Sequence, residues 1–285
     1  MPFDLAAMAK RVRPQRRKRS VVLRDIVPPA TLATDLYRSA YAPVVQGWSD
    51  AADRIIAEYA RTLAQITHDA PADVQGQIDQ AASLLQRLIL SITPSLRHWA
   101  LRVEGWFRGK WRGAVLSATG VDLQTVIGPE DVRDTLEATI ARNVALVRNV
   151  SDQAQARISE AVFRGLTQRL PANDVAKEIR GAVDMARTRA RNIAADQLSK
   201  LSGSLADERR REAGLDTFEF KHSGKLHPRS WHKERDGKLF SENPDRVGTK
   251  VDGKIIHAAS EIPPGDGASQ PPFCGCRNLS YMIFD

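Results

Sequence analysis

The apolar positions of residues 29–214 recur every three or four residues along most of the segment. This is the period of an amphipathic α-helix, whose apolar side chains lie along one face. The spacing predicts a series of helices, with Pro43 kinking the first and Pro94 opening another in its first turn. We therefore expect a helical body over residues 29–214, which the break at residues 119–129 could divide in two.

Two further helix boundaries follow from capping preferences. Ser151 is a good N-cap residue, so a new helix is predicted to begin there. Gly214 is predicted to end the long helical stretch before it, because glycine readily adopts the left-handed conformation that closes a helix.

The pattern changes after residue 214. Residues 215–224 alternate between apolar and polar, which predicts a strand, and the rest of the chain is rich in Gly and Pro. Further short strands are predicted at 237–240, 253–258 and 278–284. The expected fold class is thus a mainly α N-terminal body with a small, loop-rich α+β C-terminal domain at 215–285. Such a domain has a thin core and needs a staple or a partner surface.

The chain carries a net charge of +8, and most of it lies at the N-terminus. The first 30 residues contain eight Lys and Arg against two Asp, so residues 1–28 are predicted to form a basic flexible arm. Such an arm can bind DNA phosphates without sequence preference, or an acidic protein surface. The candidate DNA-binding residues are Lys10, Arg11, Arg13, Arg16, Arg17, Lys18 and Arg19.

The two cysteines, Cys274 and Cys276, are separated by one residue. That spacing is too short for a relaxed disulfide, so we expect a reducing compartment. We expect no membrane segment, because the apolar runs are short and interrupted. The N-terminus lacks the pattern of a secretion signal, since its charges follow the apolar stretch instead of preceding it.

Three interpretations of the C-terminal His and Cys residues remain open. The first is a tetrahedral structural zinc site, for which His222 and His257 are competing ligands. Its predicted ligands are His227, His232, Cys274 and Cys276.

The second interpretation is catalysis, and the third is purely structural. His232 with Asp236, or Cys274 with a histidine, could act as a general base or an activated thiolate, for example in a metal-dependent nuclease. In the structural interpretation, the Asp236-Gly237 pair makes a tight hairpin turn, and the His and Cys residues close the domain.

The same C-terminal residues resemble those of the phage Mu F-like minor head proteins, which include the SPP1 gp7-type head morphogenesis proteins. Upstream, the segment 189–197 is similar to a helix of that family and departs from it at its last three residues, and the resemblance covers about residues 130–285. The matching motif residues are His222, Pro228, Arg229, His232, Asp236, Gly237, Cys274, Cys276 and Arg277.

The resemblance implies a structural role inside a phage head. It implies a portal-associated minor capsid protein that takes part in procapsid assembly and in DNA packaging or delivery, and that is not an enzyme. The implied partners are the portal protein, major capsid or scaffold proteins, and double-stranded DNA. The implied location is the head interior near the portal, after assembly in the host cytoplasm. The alternatives are a metal-dependent nuclease acting on phage DNA and a generic zinc-containing DNA-binding protein.

Overall fold

The computed structural model describes residues 3–15, 18–64, 71–225 and 229–284, and most of them are helical. The predicted fold class is confirmed: a mainly α body is combined with a small α+β region that holds a sheet. No helix in the described ranges is both long and apolar enough to cross a membrane. The helices are α1 (Leu5–Val12), α2 (Ala30–Leu36), α3 (Ala42–Ala64), α4 (Pro71–Ser91), α5 (Thr93–Thr119), α6 (Arg133–Gln168), α7 (Ala172–Glu212) and α8 (Ser230–Glu234).

Pro94 lies where it was predicted, and Pro43 lies beside an irregular helical turn. Pro43 is the second residue of α3, separated by one residue from a π-helical turn, Tyr37–Tyr41. Proline has no N–H and its ring collides with the carbonyl four residues earlier, here that of Ser39. The wider π turn relieves both problems, so the proline is accommodated without ending the helical stretch. Pro94 is the second residue of α5, where a missing N–H costs nothing.

The helix predicted to begin at Ser151 does not exist as a separate element. Helix α6 runs without a break through Ser151, which is buried, and the Ser151 hydroxyl accepts a hydrogen bond from Trp48 Nε1 at 3.0 Å. The prediction was wrong because the hydroxyl partners another helix instead of its own backbone. The cap at Gly214 is confirmed: its φ is 67°, and the Leu215 N–H closes the helix on the Arg210 carbonyl at 3.0 Å.

The chain divides into two compact units whose boundaries differ from the predicted ones at 29–214 and 215–285. The long helices α5, α6 and α7 each contribute residues to both units, because the small sheet needs helical surface to bury its thin core. We call them the sheet unit (Met1–Pro29, Ala100–Glu137 and Asp196–Asp285) and the helical unit (Ala30–Trp99 and Ala138–Ala195).

The sheet unit contains a six-stranded sheet in the order β1-β6-β2-β3-β5-β4. Neighbouring strands are antiparallel except β3 and β5, which are parallel. The predicted strands formed as β2, β3, β5 and β6, whereas β1 and β4 were not predicted. The strands are β1 (Ser20–Val22), β2 (Thr217–Lys221), β3 (Leu239–Ser241), β4 (Lys250–Val251), β5 (Lys254–Ala258) and β6 (Arg277–Ile283).

The prediction of a flexible N-terminal arm is wrong for the described part of residues 1–28. Leu5 and Ala9 of α1 are buried, and the Leu5 N–H donates to the Ala213 carbonyl at 3.1 Å. Strand β1 pairs with β6, with Ser20 opposite Ile283. The apolar residues of the segment therefore anchor it, while its described basic side chains are exposed.

Candidate metal centre

His232, Cys274 and Cys276 come together inside the sheet unit. The two sulfur atoms lie 3.6 Å (Cys274) and 3.5 Å (Cys276) from His232 Nδ1. All three candidate ligand atoms lie within 4.8 Å of one another. The residues are 1%, 4% and 2% exposed, respectively, so the cluster is closed to solvent.

Local backbone structure brings the three side chains to one point. The short helix α8 carries His232, whose ring meets the Phe220 ring edge-on at 5.5 Å. Cys274 follows a turn closed by its N–H and the Pro271 carbonyl at 3.1 Å. Cys276 directly precedes β6, and its carbonyl accepts a hydrogen bond from the Ser269 hydroxyl at 2.8 Å.

The far side of the His232 ring is held by Asp266. Asp266 Oδ1 lies 3.0 Å from His232 Nε2, and the same carboxylate accepts hydrogen bonds from Trp231 Nε1 and Arg235 Nη1. Burial by itself would raise the pKa of Asp266, but these donors, led by His232, hold that pKa below its ordinary value. A charged carboxylate at this position accepts a hydrogen bond from Nε2–H, so in the neutral tautomer that fits this contact the Nδ1 lone pair faces the two sulfur atoms.

The two thiols do not titrate alike. The pKa of Cys274 is lowered to about 5, mainly because its sulfur accepts a hydrogen bond from Cys276, although burial opposes the shift. The pKa of Cys276 is raised, because ionisation would remove the proton it donates to Cys274 and because the thiol is buried. The pair therefore holds one negative charge readily, and a bound cation would favour the loss of the second proton.

This cluster has the chemistry of a metal site. It offers one imidazole nitrogen and two thiolates, with a carboxylate orienting the histidine from behind. The catalytic pairing of His232 with Asp236 is wrong, since Asp236 instead accepts a hydrogen bond from the His222 backbone N–H at 2.8 Å. The carboxylate that contacts His232 is that of Asp266.

The remaining motif residues brace the loops around the cluster. Arg277 donates two hydrogen bonds of 2.8 Å to the Asp25 carboxylate and one of 3.0 Å to the Gly275 carbonyl. Arg229 donates to the Pro272 carbonyl at 3.2 Å. These contacts tie the Cys-Gly-Cys loop to the N-terminal segment and to the loop before α8.

The other candidate histidines do not join the cluster as the structure describes it. His222 Nδ1 accepts a hydrogen bond from the Gly224 N–H at 3.1 Å, and His257 packs against the Phe240 ring at 5.6 Å. The candidate ligand His227 and the motif residue Pro228 lie outside the described residues.

The Asp236-Gly237 pair forms a tight turn as predicted, with Gly237 at a φ of 75° and the Lys238 N–H donating to the Arg235 carbonyl at 3.0 Å, but this turn does not join two strands directly. Asp236 and Gly237 lie in the segment that connects β2 to β3 and contains α8. The two-residue hairpin turn is instead formed by Asp252 and Gly253, which join β4 to β5 with positive φ angles of 49° and 79°.

The candidate DNA-binding residues lie along the surface of the N-terminal segment. Lys10 and Arg11 are exposed on the last turn of α1, Arg13 is exposed just after it, and Lys18 and Arg19 are exposed just before β1. The other two candidates, Arg16 and Arg17, lie outside the described residues.

Sequence reasoning missed the residues that support the cluster from a distance. Asp266 lies in a Gly/Pro-rich loop, where an Asp usually indicates a turn. Asp25 is separated from Arg277 by 252 positions, and no local pattern connects them. The one available signal was the demand of a metal-binding histidine for a carboxylate or carbonyl partner.

Comparison with known proteins gives one relative without a described role. Over 123 residues the chain is 28% identical to an uncharacterized protein of Haemophilus influenzae, an alignment that covers 43% of this chain and 28% of that protein. The chain therefore spans less than two thirds of the length of this relative. No protein-family model and no solved structure match the chain.

Proposed function

We propose that the protein is a phage minor head protein of the Mu F-like kind, which acts by binding and scaffolding in procapsid assembly and DNA packaging or delivery. The observation that supports this most is the convergence of the motif residues. His232, Cys274 and Cys276 form one buried cluster, and Arg277 holds the adjoining loop. These residues come from separate stretches of the chain that resemble one family, and they stabilise the same part of the fold.

We further propose that the cluster binds Zn²⁺. Zinc lies about 2.05 Å from imidazole nitrogen and about 2.3 Å from thiolate sulfur, so tetrahedral geometry separates the two ligand atoms by about 3.6 Å. The sulfur–nitrogen distances of 3.6 and 3.5 Å fit this requirement. His227 is the fourth ligand predicted from sequence.

The proposed role of the zinc is structural. Catalytic zinc needs a coordination position open to water or substrate, whereas structural zinc is enclosed by its ligands. The ligand residues are at most 4% exposed. The ion would replace part of the apolar core that the small sheet lacks, and it would supply folding free energy directly.

The proposed partners are the portal protein, the major capsid or scaffold proteins, and packaged double-stranded DNA. The exposed basic residues of the N-terminal segment support the DNA contact, since Lys and Arg neutralise phosphates irrespective of base sequence. The proposed location is the interior of the head near the portal, and the host cytoplasm during assembly.

Isolation of procapsids and virions tests the proposed function. The protein is expected to co-purify with the portal and to resist external protease until heads are opened. Its absence from procapsids and virions would refute the proposal. A nuclease would instead degrade DNA with added Mg²⁺ or Zn²⁺, and would lose that activity in His232→Ala while His257→Ala retained it.

Elemental analysis of the purified full chain tests the zinc assignment. One zinc per chain is expected in the parent and in His257→Ala, and none in Cys274→Ser/Cys276→Ser. His227→Ala should weaken zinc binding if that residue completes the site. Replacement of zinc by Co²⁺ adds a spectroscopic check, because thiolate charge-transfer bands should appear in the parent and vanish in the double variant. A metal-free parent that is nonetheless folded would contradict the assignment.

A further inference from the structure

An open groove of about 880 Å³ lies in the sheet unit beside the edge strand β1. One wall is formed by Arg13, Pro14, Gln15 and Lys18, and the other by the last two turns of α5. Helix α5 contributes only the small side chains of Ala114, Ser117 and Ala118 to the lining, which leaves the groove wide.

The charge of the groove is entirely positive. Arg13, Lys18 and Arg24 line it, and none of its described lining residues carries a carboxylate. All three side chains are exposed, and within the described ranges none of them forms an ion pair or a side-chain hydrogen bond. Lys18 does lie close enough to Asp252 to help lower the pKa of that carboxyl, after the larger effect of the Ser20 and Tyr281 hydrogen bonds.

Two other arginines of the sheet unit are neutralised within the fold. Arg209 pairs with Glu104 at 2.9 Å, and Arg210 pairs with Glu242 at 2.7 Å. Against this background, three cations around one groove without a paired carboxylate repel one another and attract an external anion.

We propose that this groove binds the backbone phosphates of a polynucleotide without sequence preference. Guanidinium and ammonium groups are the side chains that pair best with phosphate oxygens. None of the described lining residues has an aromatic ring on which a base could stack, so the groove favours the backbone over the bases. Its openness also favours a polymer that passes through over a small ligand that must be enclosed. In taking packaged DNA as the occupant, the inference rests on the proposed function.

Arg13 also contacts Gly120, so a substitution of Arg13 would change both phosphate binding and this contact. Its guanidinium lies against Gly120, where a Cβ atom would come within 3.2 Å of Arg13 Nε. Gly120 directly follows the C-terminus of α5, and a cation there offsets the negative end of the helix dipole. Lys18 and Arg24 therefore give the cleaner test.

The test compares Lys18→Gln/Arg24→Gln with a matched control, Arg54→Gln/Arg87→Gln. The control residues are exposed on α3 and α4, form no ion pair within the described part of the chain, and remove the same charge. Fluorescence anisotropy with the full chain and a random-sequence DNA duplex gives affinity between about 50 and 200 mM salt. Thermal unfolding checks that each variant is folded.

We expect the groove variant to bind DNA at least about tenfold more weakly at low salt, with the slope of log affinity against log salt reduced by about 2. The control should keep the parent slope. An unchanged slope in the groove variant, or an equal loss in the control, would overturn the inference. Competition by inorganic phosphate or a mononucleotide at equal phosphate concentration would also overturn it, because it would indicate a site for free phosphates.

The two proposals fail separately. A protein absent from phage heads whose groove variant still loses DNA binding would refute the head role and support the groove. A protein found in heads whose groove variant binds like the parent would refute the groove alone.

Discussion

The helical unit and the sheet unit bury polar groups in different ways. In the helical unit, single hydrogen bonds cross an apolar core, as when the Tyr41 hydroxyl donates to Asn143 Oδ1 at 2.9 Å. In the sheet unit, charged and sulfur-containing groups form networks: Arg209 contacts Glu104, Asp131 and Glu212. The difference indicates that long helices supply enough apolar area by themselves, whereas a small sheet needs polar cross-links to hold one structure.

Removal of the proposed zinc should cause the largest difference in stability between the two units. If zinc binds the cluster, chelation or His232→Ala should destabilise the sheet unit by several kcal/mol, since structural zinc supplies up to about 10–16 kcal/mol. Hydrogen exchange should show loss of protection in β2, β3 and β6, with α3 still protected. His257→Ala is the matched histidine control. Equal loss of protection in α3 would contradict the comparison.

A core substitution in the helical unit should destabilise that unit and leave the proposed zinc site intact. Trp48 is 1% exposed, so Trp48→Ala should lower the free energy of unfolding by about 3–5 kcal/mol while zinc content stays unchanged. Leu90 is 73% exposed, and Leu90→Ala should change it by no more than about 0.5 kcal/mol. Denaturant titration measures both values. Loss of zinc in folded Trp48→Ala would show that the distinction between the units is false.

A smaller effect is expected from substitution of Asp266, the carboxylate that contacts the proposed metal ligand His232. Asp266→Asn keeps the shape of the side chain but removes the charge that orients His232, so metal affinity should fall about 10- to 100-fold. Competition with a chromophoric chelator measures the affinity. Glu234→Gln, an exposed change on α8, should keep parent affinity. Parent affinity in Asp266→Asn would show that the carboxylate does not tune the site.

The smallest predicted effect is a pH dependence in the sheet unit. Burial by itself would raise the pKa of Asp216, but hydrogen bonds from Arg246, Thr217 and Asn243 hold that pKa below its ordinary value of 3.8. The folded state therefore binds this proton more weakly than the unfolded state, so the stabilisation is present above about pH 4 and is lost as the pH falls through the lowered pKa. Urea titrations should show that the free energy of unfolding of Asp216→Asn is roughly 1 kcal/mol below that of the parent near neutral pH. This difference should disappear in acid. A constant gap at every pH would contradict the assignment.

Local features were predictable because neighbours along the chain determine them. Pro94 and Gly214 mark a helix start and a helix end through their own backbone chemistry. The alternation of apolar and polar residues in 215–224 correctly predicted β2. Ser151 misled because its preference for an N-cap is weaker than the demand of a buried indole for an acceptor.

The candidate site was predictable in its residue types and only partly in its arrangement. Cys274, Cys276 and His232 are chemically distinctive, so the sequence singled them out as candidate ligands. Their supporting carboxylate could not be chosen, since the chain offers many Asp residues and the one that reaches His232 lies 34 positions away.

By itself, the sequence determined the helical character of the chain, the strands near its end and the side chains able to bind a metal, because periodicity and donor chemistry are local properties. Only the tertiary structure decided that the basic N-terminal segment is anchored, through the pairing of Ser20 with Ile283. It also placed Asp266 behind His232 and left Arg13, Lys18 and Arg24 around one groove. Strand partners and distant ion pairs depend on which surfaces bury one another, and no short stretch of sequence carries that information.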